Sequence, residues 1–275
     1  MALFTNALVR KPCRNIIKGL SSAGPGGYAR PLGGLGRPDY EKALAQHAAY
    51  VDALGACGLA VTALEADERF PDSVFIEDTA VVCDRTAVIS RPGAPSRQGE
   101  EEAVAAALAL FYPRLECIRP PGTLEGGDVM RAGDRFYIGV SARTDPGGAR
   151  QLAAILQEND YAATLVPLRD ALHLKTGVSY LENNRLLAAG EFLDHSPKGT
   201  GIAARPPFSS FDIIPVPSGE SYAANSLWVN GKVLVPAGFP ATRAAIEKSG
   251  YETVALDVSE FRKLDGGLSC LSLRF

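Results

Sequence analysis

The sequence predicts an α/β protein assembled from small strand–strand–helix–strand units around one core. Short apolar, β-branched stretches recur along the whole chain, a few amphipathic stretches of helical period separate them, and no shift in composition marks a boundary. One domain over residues 1–275 is therefore expected. The alternation suggests a unit of ~45–50 residues, a length at which repeats build radial architectures, although residue-level self-similarity is weak.

In chain order, strands are expected at residues 3–9, 59–64, 80–82, 87–90, 135–140, 163–166, 186–189, 211–214, 226–229, 232–235 and 251–256, with a short final strand at 271–275. The clearest helix is expected over residues 38–57. There Tyr40, Leu44, His47, Val51 and Leu54 recur at steps of three and four, Pro38 suits a first turn and Gly58 a stop. Similar patterns predict helices over 99–111, 148–157 and 241–248. Residues 19–37, rich in Gly and Pro and without periodicity, read as a connection or as a lid over a site. The polar stretch 193–207 reads as an exposed loop.

A composition of 46% hydrophobic and 21% charged residues is that of a globular chain able to bury a substantial core. With a net charge of −3 and no basic block, nucleic acid and anionic membrane have no electrostatic support as partners. No apolar run approaches the ~18–20 residues that cross a bilayer, and the first fifteen residues lack a signal-peptide pattern. Five widely spaced cysteines form neither a disulfide framework nor a CxxC zinc pattern, so a reduced, cytoplasmic protein is expected. Gly24, Gly26 and Ala29 match a loose dinucleotide fingerprint, but no strand precedes them and Arg30-Pro31 follows in place of a helix. No Walker loop, HExxH or G-x-S-x-G is present; Cys270 and His173 could meet in space to ligate a metal, but local Cys/His pairs are absent. No cofactor is expected.

Two acidic corners stand out. In PDSVFIEDT (residues 71–79) three carboxylates flank a stretch expected to be a strand, which would turn Asp72 and Asp78 to one face and Glu77 to the other. Such groups need a cation or several donors, unless both strand ends are simply solvated. In TLEGGDV (123–129), Gly126 and Gly127 permit a tight turn or close approach beside Glu125; a solvated hairpin is the alternative. Together the corners suit a substrate with a delocalised positive charge.

Of three histidines, His47 lies on a helix's apolar stripe and His195 in the polar stretch. His173 alternates with Leu172 and Leu174, which places its imidazole opposite the leucines at a strand edge, where Glu125 is a candidate to tune it. Cys13, Cys57, Cys83 and Cys117 have the contexts of small structural hydrophobes. Cys270 follows LDGGLS, a flexible turn that leaves room for a substrate to reach the sulfur. Its nucleophilic use needs the thiolate, which a nearby imidazolium favours over the ~8.5 reference value.

These residues resemble the dimethylarginine dimethylaminohydrolase family of the guanidino-group-modifying (pentein) superfamily. The similar segments are PDSVFIEDTAVV (71–82), SRPGAPSRQGE (90–100), LEGGDVM (124–130), YIGVSARTDPGGA (137–149), LHLKTGVSYL (172–181), ESYAANSLWVN (220–230) and KLDGGLSCLSLRF (263–275). The resemblance implies a pentein α/β-propeller, five ββαβ modules around a pseudo-five-fold axis with the site in the central channel. It implies hydrolysis of N-omega-methylated arginine to citrulline and (di)methylamine through a covalent cysteine S-alkylthiouronium, without cofactor or metal. By resemblance, Cys270 is the nucleophile, His173 the general acid/base and Glu125 its orienting carboxylate. Asp72, Glu77 and Asp78 match the groups that hold substrate nitrogens, Arg97 and Arg143 the pair on the amino-acid carboxylate, and Leu20 and Leu264 backbone contacts to substrate. The partner implied is the small-molecule substrate, and a homodimer is compatible with the family. An arginine deiminase acting on free arginine is the nearest alternative, although such enzymes usually carry an extra helical domain. A non-catalytic pentein-fold binding protein is a second alternative, against which Cys270, His173 and Glu125 together argue.

Overall fold

A computed structural model describes residues 4–21, 35–193 and 207–275. His195, nearly all of the polar stretch 193–207, most of the segment 19–37 and the loose dinucleotide match lie outside the described residues.

Fifteen short strands in these residues form five three-stranded sheets, and the expected strand–strand–helix–strand unit recurs in four of them; in the fourth, the described residues between the second and third strands hold no α-helix. Strand β1 (Asn6–Arg10), helix α1 (Tyr40–Ala56) and the parallel strand β2 (Ala60–Leu64) come first. Asp39 caps α1 by accepting from Lys42 N at 2.8 Å, and Gly58, at φ +90°, supplies the left-handed turn that ends it. The second unit is β3 (Ala80–Val82), β4 (Ala87–Ile89), α2 (Glu101–Leu108) and β5 (Leu115–Cys117). The third is β6 (Val129–Ala132), β7 (Arg135–Val140), α3 (Pro146–Glu158) and β8 (Ala162–Pro167). A one-turn helix, α4 (Leu174–Gly177), leads into β9 (Val178–Tyr180), β10 (Arg185–Ala188) and β11 (Asp212–Pro215). The fifth is β12 (Leu227–Val229), β13 (Lys232–Pro236), α5 (Pro240–Lys248) and β14 (Glu252–Leu256). After α6 (Ser259–Arg262), strand β15 (Leu273–Arg274) pairs antiparallel with β1 and completes the first unit. In every unit the first two strands are antiparallel and the third returns parallel to the second.

The sheets close into a ring because each middle strand is apolar on both faces. On β1, Ala7 and Val9 join Leu227, Val229 and Leu234 of the fifth unit, whereas Leu8 joins Ala80, Ala87 and Ile89 of the second. On β7, Phe136 and Ile138 face Val81 and Val88, and Tyr137 faces Val178 and Leu186. On β13, Val233 and Val235 face Leu181 and Leu187 of the fourth unit. Period-two alternation thus feeds a different core on each side of a sheet, and five wedge-shaped cores link five units in cyclic order.

Strands β5, β6 and β9 lie outside the sequence expectations. They have three or four residues, carry no β-rich apolar run like those of the equally short β3, β4 and β12, and form because a neighbouring strand offers its edge. Among the described residues no helix is long and apolar enough to cross a membrane. All five cysteines are free thiols.

Candidate active site

Each unit's first strand is preceded by a short helical segment: a single turn at Ile76–Thr79 before β3, Gly126–Asp128 before β6, α4 before β9 and Ser269–Leu271 before β15, and two short turns joined by a kink at Glu220 in Ser218–Ala224 before β12. The Ile76–Thr79 turn packs against those at Gly126–Asp128 and Ser269–Leu271, and α4 packs against Gly126–Asp128 and Ser218–Ala224. The repeat therefore brings equivalent positions together. Glu77, Asp78, Glu125, His173, Asn225 and Cys270 all lie in or beside one of these turns.

The strand expected across the first acidic corner does not form. Backbone bonds from Ser73 N to Phe70 O, Phe75 N to Asp72 O and Asp78 N to Phe75 O curl the segment, so the two-faced parity argument fails. Nor are its ends solvated: Asp72, Glu77 and Asp78 are all at most 5% exposed. Curling lets each buried carboxylate find donors, which an extended strand would deny it. Asp78 Oδ2 accepts from Arg97 Nη1 at 2.6 Å and its Oδ1 from Gly127 N at 2.9 Å. Glu77 Oε1 meets Lys175 Nζ at 2.6 Å and Arg274 Nη2 at 3.3 Å, while its Oε2 accepts from Ser269 Oγ at 2.8 Å. Asp72 Oδ1 accepts from Leu20 N at 2.9 Å, and burial pushes this carboxyl up against the opposing charges of Arg97 and Arg143.

The second corner is a buried turn, which excludes the solvated hairpin. A side chain on Gly126 would land on the Glu77 carbonyl oxygen. One on Gly127 would sit 2.7 Å from Asp78 Oδ1 and 2.8 Å from His173 Nδ1, so close approach requires both glycines. Fully buried Glu125 bonds His173 Nε2 through Oε2 at 2.7 Å. Its Oε1 accepts from Gly93 N at 3.0 Å, Ala94 N at 3.3 Å and Arg143 Nη1 at 3.3 Å.

His173 caps α4 and is not on a strand; its backbone N–H donates to Thr176 Oγ1 at 3.3 Å. The local alternation of leucines comes from an extended entry into that turn, at φ −136° and ψ 160°. Burial lowers the imidazole, but the charges of Asp78, Asp128 and Glu125 outweigh it and raise His173 to about 9. Glu125 is held well below the usual carboxylate range by its bond to His173⁺ and by both arginines, which outweigh its burial. The imidazolium is thus the resting form at neutral pH.

Cys270 lies half-buried in its turn, next to Ser269, whose hydroxyl fixes Glu77. Gly267 N donates to its sulfur at 3.4 Å. Burial, Glu77 and Asp78 push the thiol up to about 12, with Lys175 opposing, which works against the thiolate that nucleophilic use needs. The Gly-Gly turn also serves a different purpose from the one expected. A side chain on Gly266 would strike the Phe75 ring and one on Gly267 the Asn225 amide, so these glycines make room for packing.

Arg97 is buried between Asp78 and Glu100, with Nη2 donating to Glu100 at 2.8 Å and to Phe75 O at 3.1 Å. Arg143 is more open, its side chain 21% exposed. Leu264 packs in the core against Gly19, where an added side chain would also meet Asp72 Oδ1 at 2.9 Å. The region thus gathers every expected site residue. It adds Glu100, Asp128, Lys175, Asn225, Ser269 and Arg274, to which the sequence reading assigns no role. Asn225 clamps two turns together, donating to Lys175 O at 3.0 Å and accepting from Ser269 N at 2.9 Å. Their signal is positional for all but Glu100, which heads α2: Asp128, Lys175, Asn225, Ser269 and Arg274 each stand in or within a few residues of a unit's first strand.

The ligand atoms of Asp78, Glu125 and His173 lie within 4.8 Å of one another, close enough to hold a metal ion. Arg97, Arg143 and the Gly93, Ala94 and Gly127 amides already occupy those carboxylates, so a dication would have to displace two guanidinium groups. The arrangement suits a planar organic cation: buried carboxylates, an imidazolium and a thiol in one region.

Comparisons with known proteins agree with this chemistry. The arginine deiminase family model matches residues 68–206. The dimethylarginine dimethylaminohydrolase of Pseudomonas aeruginosa is 49% identical over 274 residues, covering 99% of this chain and 100% of that one. A crystal structure of the Pseudomonas aeruginosa enzyme, a cysteine-to-serine variant complexed with citrulline, superposes with a TM-score of 0.91 at 48% identity over the whole of both chains. A histidine-to-glycine variant of a dimethylarginine dimethylaminohydrolase, an adduct with S-methyl-L-thiocitrulline, gives 0.90 at 48% identity over 99% of this chain and 100% of that one. The fold is the pentein propeller of those structures, and with such identity along essentially its full length this chain belongs to the dimethylarginine dimethylaminohydrolase family.

Proposed function

We propose that the protein is a cytoplasmic, single-domain hydrolase that converts N-omega-methylated arginine to citrulline and the corresponding methylamine. One observation carries the reading: His173, bonded to buried Glu125 at 2.7 Å, shares a region with buried Glu77 and Asp78 and with the Cys270 thiol. The relatives described above, solved with citrulline and with a thiocitrulline adduct, support it.

A guanidinium carbon is a poor electrophile because resonance delocalises the charge. Asp78 and Glu77 would fix the guanidinium plane and keep it cationic in a desolvated site. Burial and the same two charges push the Cys270 thiol up in the free protein. A bound guanidinium offsets them, so the Cys270 proton passes to solvent and the thiolate forms where the substrate carbon lies. Attack on that carbon gives a tetrahedral adduct. His173, protonated at rest, gives its proton to the methylated nitrogen, the C–N bond breaks, and an S-alkylthiouronium remains on the sulfur. The neutral imidazole then takes a proton from water as hydroxide adds. The C–S bond breaks with the electron pair returning to sulfur, the hydroxyl proton of the adduct leaves to solvent, and citrulline departs. Arg143 and Arg97 would hold the substrate carboxylate, Asp72 and the Leu20 and Leu264 backbone its amino group.

The test measures the urea product, which is citrulline from monomethylarginine, asymmetric dimethylarginine and arginine and the corresponding alkylurea from a methylated guanidine lacking the carboxylate. Turnover confined to the methylated amino acids, lost in Cys270→Ser with binding retained, is the expected result. Preference for arginine, which the arginine deiminase match over residues 68–206 makes the competing substrate, would reassign the substrate. Preference for the carboxylate-free guanidine would overturn the substrate class.

A further inference from the structure

We propose that Asp128 is a positioning residue: it fastens the turn bearing His173 to the loop bearing Arg143, so that the acid/base and the substrate-carboxylate anchor keep one spacing. The assignment rests on the roles proposed above for those two residues.

Asp128 is fully buried and both its oxygens are engaged by these two elements. Oδ1 accepts from Leu174 N at 2.9 Å, at the first residue after His173. Oδ2 accepts from Ser141 Oγ at 2.7 Å. That hydroxyl in turn accepts from Arg143 N at 3.0 Å and Thr144 N at 3.2 Å, which sets the course of the loop. Thr144 Oγ1 closes the circuit by accepting from Glu125 N at 3.1 Å, so the partner of His173 is tied to the same loop. Space for the carboxylate is made on β7: a side chain on Gly139 would lie 2.7 Å from Asp128 Oδ1 and 3.1 Å from Leu174 Cβ.

A neutral amide cannot take over both contacts. In Asp128→Asn the amide oxygen would remain as one acceptor for Leu174 N, but the NH2 group would point at a Ser141 hydroxyl that must donate there in order to accept from two backbone amides. The carboxylate also contributes charge. His173 is faced by Asp78 from the turn before β3 and by Glu125 and Asp128 around the turn before β6; Asp128 is faced by His173 and by the Ser141 and Thr144 hydroxyls.

The experiment uses the full chain with Asp128→Asn, Ser141→Ala and the double variant. The His173 ring is titrated by NMR in the free protein, and KM and kcat are measured on monomethylarginine and on a methylated guanidine lacking the carboxylate. In Asp128→Asn the His173 midpoint is expected to fall by about one unit. Both single variants are expected to raise KM for monomethylarginine roughly tenfold relative to the carboxylate-free compound, and the double variant no further, because both cut one connection. A purely structural role would lower the active fraction for both substrates alike and leave their ratio and the titration unmoved; that result, or additive effects, overturns the proposal. If Asp128→Asn does not fold, Ser141→Ala still reads the KM ratio, and an unmoved ratio overturns it. Failure of the unaltered protein to make citrulline would reject the proposed function, whereas a His173 midpoint unmoved in Asp128→Asn, a measurement that needs no substrate, would overturn the Asp128 assignment separately.

Discussion

Replacing Glu125 with Gln preserves shape and removes one charge from the most buried contact of the site. Three donors converge on Oε1, from Gly93, Ala94 and Arg143, so the Gln oxygen will stay with them and its NH2 will face His173 Nε2. That group can only donate, which demands a neutral imidazole with its proton on Nδ1. The bond that now favours imidazolium at 2.7 Å is thereby turned against it. Asp78 and Asp128 remain, so the fall from about 9 is partial, and the loss of one close charge corresponds to about one to two units. At pH 8 the protonated fraction then drops from about 90% to between about 50% and 10%, each unit being worth about 1.4 kcal/mol. In the proposed mechanism the imidazolium is the acid that releases the amine. The alkaline limb of kcat, followed by citrulline release under saturating methylarginine, should move to lower pH by the same one to two units. An NMR titration of His173 in the free variant provides the independent check. An alkaline limb and a midpoint that both stay where they were would refute the claim that Glu125 holds His173 protonated.

Three further outcomes follow from the same geometry. In the free protein, iodoacetamide should alkylate Cys270 with a rate that keeps climbing above pH 9, because burial and the Glu77 and Asp78 charges hold the thiol near 12; a plateau near pH 7 would contradict this. Gly127→Ala should abolish turnover and destabilise the fold by about 1–3 kcal/mol in urea denaturation, since the new methyl meets Asp78 Oδ1 and the His173 ring at once; wild-type kcat would show that the turns do not meet as described. His47 is buried and depressed to about 4, with Nε2 lacking a partner among the described residues. Its contribution is present above the ordinary value near 6.5 and is lost as pH falls toward 4, by about 3 kcal/mol. His47→Leu should flatten that part of the stability–pH curve, and an unchanged slope would place the acid sensitivity elsewhere.

Helices are legible from sequence because their signal is local and long. The periodicity over residues 38–57 locates α1 (Tyr40–Ala56), and that over 241–248 locates α5 to within one residue. Strands long enough to alternate, such as β7, are found to the residue, whereas the three-residue β5 and β9 exist only because a neighbour pairs with them. The motifs single out Cys270, His173, Glu125 and the acidic corner as the candidate chemistry, and that much the sequence by itself supplied. What it could not determine was orientation. The acidic segment curls because its carboxylates must meet Arg97, Lys175 and the Gly127 amide, which lie far away in the chain. The two glycines before Cys270 answer to Phe75 and Asn225, partners that appear only when the ring closes. Protonation states were likewise decided by tertiary structure. A thiol near 12 and an imidazole near 9 arise from charges contributed by several turns. Coulomb energy depends on distance through space and on burial, and a single segment of sequence specifies neither.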